Sequence, residues 1–170
     1  MGGLALAVRL VDRMNRWVGT AVALLILVLA GVIVYEVTLR YAFSAPTTWG
    51  TEISTYLFAT YVLLGGGFAM LNGDHVRMDV FFARFSPRGQ SGLDLLTAPF
   101  ALLYCYVLFF EGGAMVAEAM ASGRRTSTDL SLLLWPWQMA LPVGVGMLTL
   151  QIFANLARDI VRFTTGRELA

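Results

Sequence analysis

Three acidic residues stand beside or inside apolar runs, and they are the groups best placed to do chemistry. Glu36 precedes Arg40 by four residues, an order that puts a favourable ion pair on one helix face. Glu52 opens an apolar run, where a carboxylate suits the positive end of a helix dipole. Glu111 lies deeper in another run and has no evident partner on its own helix. It either lines a proton or cation path or pairs with Arg124 or Arg125 through a loop. The single histidine, His75, is adjacent to a turn signal, Asn72-Gly73-Asp74, and reads as a hydrogen-bonding turn residue rather than a sensor.

The remaining inventory excludes more than it offers. A single cysteine, Cys105, permits neither an intrachain disulfide nor a dithiol relay. One histidine cannot make a bis-histidine haem site without a second chain. No Cys/His cluster has zinc spacing, and the P-loop, dinucleotide and serine-hydrolase signatures do not occur. The chain is therefore expected not to be an enzyme and to hold no cofactor of its own. A net charge of +1 gives no basic field for nucleic acid.

The elements that must carry these residues are membrane helices. The sequence is 58% hydrophobic and 14% charged, with a mean hydropathy of +0.70. Soluble domains are usually about 45–50% apolar and about 25% charged. A helix needs about 20 apolar residues to cross the hydrocarbon core. Four stretches supply them: about 17–39, 53–71, 93–119 and 133–157. The first is longer than the roughly 7–15 residues of a signal-peptide core, so it reads as a retained span. The fold class is an all-α membrane protein, one domain over 1–170 with four transmembrane helices.

Charge sets the expected orientation. All basic residues are arginine. With the N-terminus inside, Arg9, Arg13, Arg16, Arg77, Arg84, Arg88, Arg158, Arg162 and Arg167 face the cytoplasm, against Arg40, Arg124 and Arg125 outside. The positive-inside rule gives both termini in the cytoplasm. Trp17 then marks an inner edge, and Trp49, Trp135 and Trp137 mark outer ones. Segments 40–52 and 120–132 face outward and 72–92 inward. Within the inner loop, Val76 to Phe85 mixes bulky apolar residues with Arg and Asp, as a short amphipathic interfacial helix would. Ser86-Pro87 is expected to end it.

Small residues recur at helix-packing spacing: Gly65 and Ala69, Gly113 and Ala117, Ala140 and Gly144. Such pairs admit close backbone approach, either within this bundle or against another membrane chain. Pro99 and Pro142 are expected to bend their helices, and Pro136 suits a first helical turn.

Two blocks together are specific. Arg40-Tyr41-Ala42-Phe43-Ser44-Ala45-Pro46-Thr47-Thr48-Trp49-Gly50-Thr51-Glu52 joins the first two spans. Gly73-Asp74-His75-Val76-Arg77-Met78-Asp79-Val80 follows the second. This pairing resembles the small membrane subunit, DctQ type, of tripartite ATP-independent periplasmic (TRAP) transporters, in a form similar to the mannitol/chloroaromatic-type subgroup. Leu141-Pro142-Val143-Gly144 is similar to that family's proline-containing last helix, and the resemblance covers nearly the whole chain. Asp74 departs from the Gly or Ala frequent before the histidine.

The resemblance implies a multi-pass subunit of the bacterial inner membrane. Its partners would be a large membrane subunit and a periplasmic substrate-binding protein. Uptake of an organic acid would be driven by an ion gradient, with the coupling ion, usually sodium, on the large subunit. This chain would brace that subunit. Arg40, Trp49 and Glu52 at the outer rim, and His75, Arg77 and Asp79 at the inner rim, are then candidates for assembly and partner contact. A competing class is a self-sufficient small multidrug antiporter exchanging protons at Glu111.

Overall fold

The computed structural model describes residues 2–73 and 85–165. The chain forms α1 (Gly2–Ala42), α2 (Gly50–Asn72), α3 (Pro87–Ser122), a single turn α4 (Trp135–Gln138) and α5 (Ala140–Thr165). Among the described residues there is no strand, only an isolated bridge between Arg125 and Leu133 in the α3–α4 loop. Four helical segments are long and apolar enough to cross a membrane: Gly3–Ala42, Gly50–Asn72, Gly89–Ser122 and Trp135–Thr164. The first three contain the stretches expected from hydropathy and extend beyond them at both ends, while the fourth starts at Trp135, inside the expected 133–157, and runs past its end to Thr164. The interfacial helix expected over Val76 to Phe85 falls almost entirely outside the described residues, as do His75, Arg77 and Asp79.

The helix ends follow local chemistry. α2 stops at Gly73, whose φ of 77° is the left-handed conformation that glycine adopts freely. Ser86-Pro87 begins the next helix: the Ser86 hydroxyl accepts from the Gly89 amide and Pro87 opens α3, while the helix expected to end there lies outside the described residues. Pro99 lies inside α3, and the helix continues through it. α4 and α5 meet at Met139, whose backbone stays in the right-handed helical region and whose amide bonds the Trp135 carbonyl, so the two run on as one span from Trp135 to Thr164. Pro142 has no N–H to bond the Gln138 carbonyl, so one helical bond is missing at that turn.

Packing is asymmetric. α5 lies in the middle and touches α1, α2 and α3, while α3 packs chiefly on α5. Along α1, the buried residues Val8, Asn15, Val22, Leu29 and Glu36 recur every seventh position. Along α3, Ser91, Ala98, Cys105, Gly112 and Ala119 do the same. A seven-residue repeat keeps one narrow seam facing a neighbour over many turns. The α3 seam consists entirely of small residues, which lets α5 come close. Cys105, Val145 and Ile152 form the centre of the core, with Met70, Leu102, Leu108, Leu141, Leu148 and Leu156 around them. Outside the seams the bundle is covered in exposed Leu, Val, Ile and Phe. That surface is ruinous in water and normal in lipid, where apolar side chains have nothing to gain by hiding.

Candidate functional site

The polar residues of the bundle gather in two clusters, one near each end. The first joins the C-terminal end of α1 to the start of α2. Glu36 occupies the last seam position of α1 and is 6% exposed. Its Oε1 accepts from Arg40 Nη2 at 2.6 Å, the expected pair. Its Oε2 accepts from the Thr47 amide at 3.2 Å and from the Thr47 hydroxyl. The same hydroxyl oxygen accepts from the Gly50 amide at 3.1 Å, so it caps α2. Trp49 stacks on Tyr35 with ring centroids 5.9 Å apart. One carboxylate thus gathers the α1–α2 connection onto the helix it leaves.

Glu52 lies in the first turn of α2, as expected of a carboxylate at that end of a helix dipole. Its Oε2 accepts from Thr128 Oγ1 at 2.6 Å, which ties α2 to the α3–α4 loop. Its other oxygen, Oε1, is buried and has no partner among the described residues. That loop is closed by its own bonds: Thr126 N to Leu132 O at 2.8 Å, Leu134 N to Arg124 O at 3.1 Å, and Arg125 Nη1 to Ser131 O at 3.1 Å. Tyr56 and Trp137 stack at 4.9 Å, joining α2 to α4. Arg40, Trp49 and Glu52 therefore each have a partner within this chain. The Arg40 side chain, 47% exposed, also keeps an open side.

The second cluster was not legible as a site in the sequence. Asn15 of α1 and Gln151 of α5 are both 0% exposed. Asn15 Nδ2 donates to Gln151 Oε1 at 2.8 Å. Gln151 Nε2 donates to Asp12 Oδ1 at 3.0 Å and to Asn155 Oδ1 at 3.3 Å. Arg158 closes the group, reaching Asn155 Oδ1 at 2.8 Å and pairing with Asp12. Asn15 Oδ1 is buried without a partner among the described residues. It lies against Gly67 of α2, where a Cβ would strike it. The available signal was Gln151, Asn155 and Arg158 at positions i, i+4 and i+7, one face of an otherwise apolar helix. Asp12 and Asn15 gave none, because they precede the apolar run.

The glycines sort differently from their spacing. Gly144 is in close contact: a Cβ there would meet the backbone carbonyl of Leu63. Ala140 is 8% exposed. At Gly65 and Gly113 a Cβ would meet nothing within 4 Å, whereas at Gly112 it would meet Leu141 at 3.0 Å. Ala69 is half-buried and Ala117 is exposed. Glu111 is exposed on α3. It pairs with neither arginine considered for it: Arg124 is 3.8 Å from Glu118, and Arg125 bonds Ser131.

Among the described residues no group of three or more His, Cys, Asp or Glu could hold a metal ion. The polar groups fasten helices and loops to one another, and the arrangement is that of a multi-pass membrane protein. The sequence matches the family described as tripartite ATP-independent periplasmic transporters, DctQ component, over residues 29–162, and the chain belongs to that family. It is thus a transporter component and not a member of an enzyme family. No curated protein matches the sequence.

Proposed function

We propose that this chain is the small subunit that braces the large transport subunit of a TRAP system in a bacterial inner membrane. The family match over 29–162 carries the reading. On it, a periplasmic binding protein delivers an organic acid, and an ion gradient, sodium in the first instance, drives uptake through the large subunit. The wording Pro46-Thr47-Thr48-Trp49 and His75-Val76-Arg77-Met78-Asp79-Val80 favours the mannitol/chloroaromatic-type form. The arginine distribution favours both termini in the cytoplasm. Arg40, Trp49 and Glu52 would present the outer rim to partners, and His75, Arg77 and Asp79 the inner rim.

Two features support a bracing role. Transport sites of this kind are built from discontinuous helices meeting at mid-membrane, often in repeated halves. Here the described spans are four long helices, and the α4–α5 junction at Met139 lies at the start of the last one, beside the α3–α4 loop. The polar clusters lie towards the ends of the bundle, with an apolar layer between them. The test is co-purification of the tagged chain with the products of its neighbouring genes in mild detergent. A large polytopic subunit in near-equal amount is the expected result. A stable homodimer that binds a lipophilic cation, with binding lost in Glu111→Gln, would replace this reading with a proton-coupled antiporter.

A further inference from the structure

The outer flank of α3 carries polar residues that lipid cannot satisfy. Counting along the buried seam from Ala98 to Ala119, the position just before each seam residue holds Thr97, Tyr104, Glu111 and Glu118. All four are exposed. They lie in one row along the helix beside the buried seam, so one neighbouring element could meet all of them. Thr97 returns its hydroxyl to the backbone of its own helix, and Glu118 lies near Arg124 at the loop. Tyr104, 64% exposed, and Glu111 have no hydrogen bond or ion pair among the described residues.

Glu111 falls between the apolar stretches 95–110 and 112–117, inside the segment of α3 that is long and apolar enough to cross a membrane. An ionisable side chain at that depth belongs against a partner or a water-filled cavity, not against acyl chains. The rows beside it are apolar and equally uncovered: Phe100, Leu103, Val107 and Phe110 are 74%, 63%, 48% and 57% exposed.

We propose that this flank of α3 is the docking surface for a transmembrane helix of the large subunit. That helix would carry a cationic or hydrogen-bond-donating side chain opposite Glu111 and a hydrogen-bonding group opposite Tyr104. The proposal rests on the small-subunit reading above and adds which face is used and what chemistry meets it. An excess of negative charge on this flank selects a donor, and the length of the polar repeat selects a helix rather than a loop.

Two measurements on the co-expressed complex test it. A photoreactive phenylalanine analogue is placed at Tyr104, or at Leu27 on the outward face of α1, which is 68% exposed. Glu111→Leu and Glu111→Gln are then compared for recovery of the large subunit and for thermal stability of the chain purified alone. The expected results are cross-linking to the large subunit from position 104 and not from 27, and recovery lowered about three- to tenfold by Glu111→Leu, the scale of one interhelical polar contact. Glu111→Gln, which still hydrogen-bonds, should lose less. The isolated Glu111→Leu chain should be as stable as the parent or more so, since it loses an uncompensated charge. Cross-linking from 27 alone would overturn the docking face and leave the small-subunit reading standing. Failure of the parent chain to recover any large subunit would overturn that reading, and this proposal with it. Cross-linking between two copies of the chain, or melting of the isolated Glu111→Leu chain, would also overturn the docking face.

Discussion

Asn15 and Gln151 show how a single side chain fixes the register of two helices. Both are fully buried, and Gln151 exchanges hydrogen bonds with three residues while Asn15 exchanges one. Interhelical bonds of this kind average about 0.6 kcal/mol and reach about 1.7 kcal/mol in membranes. Gln151→Ala is therefore expected to lower stability by roughly 2 kcal/mol, and by more than Asn15→Ala, in denaturation of the detergent-solubilised chain. Equal effects would mean that the bonds to Asp12 and Asn155 contribute nothing. Glu36 plays the matching part at the other end, where one carboxylate holds Arg40, the Thr47 amide and the Thr47 hydroxyl. Replacing it with Ala releases the 43–49 connection. The readout is faster amide exchange at Thr47 and Gly50, with the centre of α2 unchanged.

At the scale of the helix, three consecutive glycines in α2 separate helix propensity from packing. A Cβ at Gly65 or Gly66 meets nothing within 4 Å, whereas one at Gly67 meets the Asn15 amide oxygen. Gly65→Ala should be neutral or stabilise by up to about 1 kcal/mol, the usual gain of alanine over glycine in a helix. Gly67→Ala should destabilise by about 1–3 kcal/mol, the cost of overfilling a packed contact. Gly144→Ala should be worse than Gly67→Ala, because its obstacle is the Leu63 backbone and not a side chain that can turn. Thermal melts of the three single variants give this order directly. Parity between Gly65→Ala and Gly67→Ala would mean that α1 and α2 are not in contact there. Spacing alone put Gly65 and Gly144 in the same class, since a helix pattern reports which residues share a face and not whether a neighbour covers it.

Across the whole molecule, α3 is the least anchored span because it packs chiefly on α5 through one seam of small residues. Ala119 is 0% exposed in that seam, and Cys105, the only cysteine, is 2% exposed within it. Ala119→Leu should lift α3 away locally while α1, α2 and α5 stay together. Overpacking of about 1–3 kcal/mol would raise the rate of thiol labelling at Cys105 roughly ten- to hundredfold. A global unfolding with the same labelling rate in every helix would contradict this division. A loosely held helix with an uncovered polar flank is also what an interface helix looks like before its partner is in place.

Hydropathy and two short blocks were enough to specify four membrane helices and the family, because lipid requires long apolar helices wherever the chain crosses it. The Glu36–Arg40 pair was legible for the same local reason: a four-residue separation on a helix fixes proximity. What the sequence could not supply was any contact between residues far apart along the chain. Asn15 meets Gln151, Glu52 meets Thr128, and Gly144 meets Leu63 only because α5 lies in the middle of the bundle. The same holds for Glu111. Its type and position mark it as unusual, but only the tertiary arrangement, which covers the adjacent Gly112 and leaves Glu111 open, shows which way it faces.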